Sequence, residues 1–197
     1  MNFLLKISNL IDALNERVGR MIIWLVLAAV LISAVNAVVR KLFNVSSNAF
    51  LEMQWYLFSC VFLLGAAYAL LHNEHVRIDL LVGRLSKRAH MWVDIFGTTF
   101  FLLPMAALIL WMSVPFALSS FESQEMSSNA GGLIVWPAKF LIPIGFALLI
   151  LQGLSEIIKR FAFLQGLIPD PTEKHKAPTA EEELIEELRR KMQENGK

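Results

Sequence analysis

Residues 21–39 read MIIWLVLAAVLISAVNAVV, an apolar run interrupted only by Ser33 and Asn36 and free of Asp, Glu, Lys and Arg. A helix rises about 1.5 Å per residue, so about 20 apolar residues cover the roughly 30 Å hydrocarbon layer of a bilayer. The run predicts a membrane span, and three more follow at 50–71, 91–118 and 133–158. Pro104 and Pro143 fall inside the last two and are expected to bend them, with neighbouring helices taking up the freed backbone groups. The fold class is an all-α membrane protein with four transmembrane helices.

Composition points the same way. Of 197 residues, 56% are hydrophobic and 18% charged, against about 25% charged in an ordinary soluble domain. Eighteen Lys and Arg against seventeen Asp and Glu leave a net +1, which removes the basic excess that nucleic acid binding needs. Cys60 is the one cysteine, so an internal disulfide and paired-thiol redox chemistry are excluded. The 14 Phe and 5 Trp suit phospholipid, where aromatic rings anchor at the interfaces.

Around the spans the pattern turns amphipathic. Phe3, Ile7, Leu10 or Ile11, Leu14 and Val18 share one helical face, with Lys6, Asp12, Asn15, Glu16 and Arg17 elsewhere, which predicts an N-terminal amphipathic helix lying on the membrane surface. About twenty residues before a long apolar core do not make a cleaved signal peptide. Between spans two and three, Ile78, Leu80, Leu81, Val82 and Leu85 mix with Arg84, Lys87 and Arg88. That stretch reads as a horizontal interfacial helix or as an ordinary basic loop. The membrane domain is assigned to 1–168. Residues 169–197 begin with a Pro-rich polar linker, after which Thr179 and Glu182 form a capping box ahead of Leu184, Ile185, Leu188 and Met192; this is a short helix or a solvated tail.

Orientation follows from positive charge, which tends to stay in cytoplasmic loops. Lys6, Arg17, Arg20, Arg77, Arg84, Lys87, Arg88, Lys159 and Arg160 fall on one side of the four spans, and the other connections hold only Arg40 and Lys41. Both termini are expected in the cytoplasm.

Few residues promise chemistry. His72, Glu74, His75 and His90 gather near the inner ends of spans two and three, outside the mid-span positions from which haem is usually held. No phosphate loop, zinc-spaced cysteine set or nucleophile motif occurs, so the chain reads as no enzyme, with no catalytic, cofactor or metal residues of its own. The ionisable residues within spans, which are costly and so are default functional candidates, are Glu52, Asp94, Lys139 and Glu156, all near helix ends. Glu52 and Lys139 fall near the same face of the membrane and are expected to pair with each other or with a partner at that level; the alternative is that each reaches headgroups or water separately. Gly65 and Ala69, four apart on span two, predict close helix approach.

At this point the residues resemble a family. Glu52, Trp55, Leu64-Gly65-Ala66-Ala67-Tyr68-Ala69 and Glu74-His75-Val76-Arg77-Ile78-Asp79-Leu80, with Trp136-Pro137, Lys139, Pro143-Ile144-Gly145-Phe146 and Leu151-Gln152-Gly153, are similar to the small membrane (Q-type) subunit of tripartite ATP-independent periplasmic (TRAP) transporters. The resemblance covers about Arg17 to Phe161 and is silent on the tail. It implies a bacterial inner-membrane complex in which a large multi-span subunit carries sodium and substrate sites and moves as an elevator. A periplasmic binding protein delivers an organic acid anion, and the small subunit enlarges the stationary scaffold. It also implies structural roles here: Arg77 and Asp79 fixing the turn after span two, Asp94 pairing with Arg88 or His90, and Trp136 anchoring at the interface. The rival readings are an autonomous small homo-oligomeric transporter and a haem-bearing membrane subunit of an oxidoreductase.

Overall fold

The computed structural model describes residues 1–44, 47–74, 86–169 and 171. These form α1 (Asn2–Phe43), α2 (Asn48–Leu71), α3 (Lys87–Glu122) and α4 (Trp136–Leu164), each long and apolar enough to cross a membrane. The four expected spans are therefore present. The suggested interfacial helix after span two, with Arg77 and Asp79, and the tail beyond Pro171 lie outside the described residues.

The first twenty residues depart from expectation. They are not a separate surface helix but the start of α1, which runs unbroken for 42 residues. Its buried positions are Ser8, Ile11, Asn15, Gly19 and Ile22, spaced as one helical stripe. Phe3 and Leu10 of the apolar face are more than 70% exposed. The polar stripe outcompetes the apolar one for the interior because it finds hydrogen-bonding partners on α4, whereas apolar side chains at membrane depth gain little by turning inward. The same inversion holds throughout. Trp111 is 81% exposed and Phe62 75%, while Gln152, Ser155, Ala67 and Ala117 have no exposed surface.

Helix ends are set locally. α2 closes with Asn73 in the left-handed region at φ 56°, and the Glu74 N–H reaches back to the Ala69 carbonyl at 3.0 Å, a Schellman stop. Glu74 thus terminates the helix, and its side chain is exposed. In α3 the residue that would clash with the Pro104 ring is Phe100, four positions earlier. The chain widens there into a π turn over Thr98–Leu102, with the Leu103 N–H bonded to the Thr98 carbonyl five residues back. Pro143 stays within α4, which continues from Trp136 to Leu164. The start of α4 lies three residues later than expected, since Leu133 and Val135 are spent on the preceding loop: Ser127 N–H bonds to the Leu133 carbonyl and Val135 N–H to that of Glu125, each at 2.9 Å.

Helix α4 packs against α1, α2 and α3. Its closest approach to α2 is at Gly145, where a Cβ would stand 2.7 Å from the Leu63 carbonyl oxygen, so only glycine allows the two backbones this near. Gly65, expected to serve such an approach with Ala69, does so less tightly. A Cβ there would meet only Ile22 of α1, at 3.8 Å, and both residues are partly buried.

Candidate functional site

Among the described residues, the paired charges of Glu52, Glu125 and Lys139 form one polar clasp and those of Asp12, Asp94, Glu156, Lys159 and Arg160 another, and the chain carries no Asp, Glu, Lys or Arg in 21–39, 53–71, 95–121 or 140–155.

At the loop end, Glu52 in the second turn of α2 is 4% exposed. Its partner is the α3–α4 loop. One carboxylate oxygen accepts from the Ser127 hydroxyl and from Asn129 Nδ2 at 2.9 Å, and the other from the Leu133 N–H at 2.6 Å. Gly132 lets the loop close this tightly, because a Cβ there would lie 2.8 Å from Glu52 Oε1. Around the carboxylate, Tyr56 donates to the Ile134 carbonyl, Asn48 Nδ2 donates to that of Ala130 at 2.9 Å, and Met126 and Ile134 form an isolated antiparallel bridge.

The expected Glu52–Lys139 pair is not formed. Lys139 Nζ instead meets Glu125 Oε2 at 2.5 Å and lies 4.2 Å above the Phe116 ring. The loop supplies an anion for the lysine and three donors for the glutamate, so each charge is neutralised before the two can meet. The Lys139 hydrogen bond holds the Glu125 carboxyl below its ordinary pKa. Trp136 packs edge-on against Phe121 and Phe140, at centroid distances of 5.1 and 6.0 Å. Trp55 is 66% exposed on the outer face of α2 and takes no part in the clasp.

At the other end, Ser8, Asp12 and Asn15 on α1 face Gln152, Ser155, Glu156 and Lys159 on α4. Asn15 donates to Gln152 Oε1 at 2.7 Å, and Gln152 donates to Asp12 and to Glu156, each at 3.0 Å. Ser155 donates to Asp12 at 2.7 Å, and Lys159 bridges Asp12 at 3.0 Å and Glu156 at 2.5 Å. Arg160, 3% exposed, binds Glu156 and reaches Asp94 of α3 at 3.0 Å. Asp94 is also 3.8 Å from His90, one of the two partners expected for it; Arg160 was not foreseen. His72 pairs with Glu16 of α1 at 2.8 Å. Among the described residues no group of His, Cys, Asp and Glu is placed to hold a metal ion.

Of the residues singled out from sequence, Glu52, Trp136 and Lys139 therefore meet at one clasp and Asp94 enters the other. Asp12, Gln152 and Arg160 were missed as partners. Their signal is visible in hindsight: Gln152, Ser155, Glu156, Lys159 and Arg160 repeat at spacings of three, four, seven and eight, a polar stripe on an otherwise apolar helix.

Carboxylates held by fixed donors and cations brace helices. The fold defines a helical protein with four helices long and apolar enough to cross a membrane. The chain belongs to the DctQ component of tripartite ATP-independent periplasmic transporters, whose family model covers residues 29–163. No curated protein and no solved structure gives a match. The family makes the chain a transporter component of the inner membrane, the small partner of a large membrane subunit and a periplasmic binding protein.

Proposed function

We propose that this chain is the scaffold-type subunit of a sodium-coupled, binding-protein-dependent secondary transporter for organic acid anions. It transports nothing itself and carries no cofactor. It widens the stationary part of the complex, while the large subunit holds the sodium and substrate sites and moves as an elevator. One observation carries this reading: Glu52, Asp94, Lys139 and Glu156 are each engaged by protein partners near a helix end, and the middle of each span is uncharged. Ion-coupled transport within one chain would place a charge or a broken helix at the bilayer midplane.

The charge asymmetry supports cytoplasmic termini, with the Glu52 clasp facing the periplasm. Alkaline phosphatase fused at either terminus is expected to be inactive, and tagged protein is expected to copurify with a larger membrane protein encoded beside it. Periplasmic phosphatase activity would overturn the orientation, and purification free of any partner under mild detergent would overturn the scaffold role.

A further inference from the structure

Between the last three turns of α1 and the second turn of α2 lies an open notch of about 550 Å³, lined by Ser33, Asn36, Ala37, Arg40, Lys41, Asn44 and Gln54. The α1 residues repeat from Ser33 at spacings of three, four, seven and eight, which puts them on one helix face, and Asn44 is the left-handed residue that ends the helix. Ala37 keeps its floor open. Among the described residues, no hydrogen bond or ion pair engages the side chains of Asn36, Arg40, Lys41 or Gln54. Arg40 and Lys41 are exposed at the rim, and Asn36 and Gln54 are half-buried. Here two cations and two amides face one space with nothing acidic in its lining, since Glu52 is turned into the loop clasp.

We propose that this notch binds the headgroup of an acidic phospholipid, its phosphate on Arg40 and Lys41. Depth selects this ligand. Asn36 stands about 6 Å further along the helix axis than Arg40, about the depth of the headgroup and interfacial layer of one leaflet, and Ser33 lies one turn deeper. The Asn36 and Gln54 amides and the Ser33 hydroxyl donate to ester carbonyls there, relieving the cost of unpaired amides at membrane depth. The acyl chains leave along Val30 and Val26, deeper on the same face of the helix and 59% and 44% exposed. A free phosphate would satisfy the cations and leave the deeper amides unpaired. A zwitterionic lipid would bring an ammonium group into a notch that holds two cations and no carboxylate.

The test is native mass spectrometry of the purified full chain, released from micelles containing equal phosphatidylglycerol and phosphatidylcholine. It reads lipid retention without any transport partner, so its outcome is separate from that of the scaffold reading. Retained phosphatidylglycerol is expected to fall about tenfold in R40Q/K41Q. N36L, which keeps both charges, should lose part of it, and K6Q/R17Q, with the same charge removed elsewhere, none. Equal retention of both lipids, or equal losses in R40Q/K41Q and K6Q/R17Q, would overturn the site. Displacement of the lipid by millimolar inorganic phosphate would overturn the lipid as its ligand.

Discussion

Asn15 of α1 and Gln152 of α4 meet amide to amide, Nδ2 to Oε1 at 2.7 Å, with both side chains fully buried. The remaining amide group of Gln152 donates to Asp12 and Glu156, so one side chain satisfies one donor and two acceptors on two helices.

Replacing Gln152 by Leu removes those donors and leaves two carboxylates short of a partner. The expected loss is about 2–4 kcal/mol of stability, read as a lowered melting temperature of the purified protein. In the cycle N15A, Q152A and the double variant, a coupling of about 1 kcal/mol is expected; additive losses would deny the direct bond.

Arg160 joins α3 to α4 through Asp94 and Glu156. R160L takes the guanidinium from both carboxylates, leaving Glu156 with Lys159 and Gln152 and Asp94 with His90, and is expected to cost about 3 kcal/mol, more than E156Q alone. Adding E156Q to R160L should recover part of the loss in thermal unfolding.

The four spans were legible because a 20-residue apolar run has one physical solution in a bilayer. The pairing of their charges was not. Glu52 and Lys139 were matched by depth alone, and depth says nothing of a loop that folds between them carrying Glu125, Ser127 and Asn129. The N-terminal stripe misled for a related reason. It reads as a helix of its own lying on the membrane surface, and its pattern does not show that it runs on into the first span or that its polar residues Ser8, Asp12 and Asn15 find partners on α4. The same holds of Arg160: its carboxylate partners lie on α3 and one turn back on α4, and only packing brings them together.

Because Glu52 and Lys139 do not touch, exchanging them in E52K/K139E should restore nothing, whereas E125K/K139E should recover part of the stability lost by K139E. E52Q weakens three hydrogen bonds to the loop and is expected to cost about 1–2 kcal/mol. Both exchanges are compared by melting temperature.

The Glu125–Lys139 contact also sets a pH dependence. A carboxyl whose folded pKa lies below its unfolded value, about 4.3 for Glu, contributes stability above that value. The contribution is lost as pH falls through the folded pKa. Glu125 is lowered in this way, so in a variant with Trp24, Trp55, Trp92 and Trp111 replaced by Phe, the fluorescence of Trp136, which reports the adjoining aromatic cluster, should be level from neutral pH down to about 5 and change below about 4. In K139M the change should move up towards the ordinary carboxylate range.

The most direct test of the scaffold reading is sodium-driven uptake of a labelled organic acid anion into proteoliposomes supplied with the binding protein. Liposomes holding the large subunit together with this chain should take it up, and liposomes holding either one alone should not. Full uptake by the large subunit alone, or any uptake by this chain alone, would contradict the account.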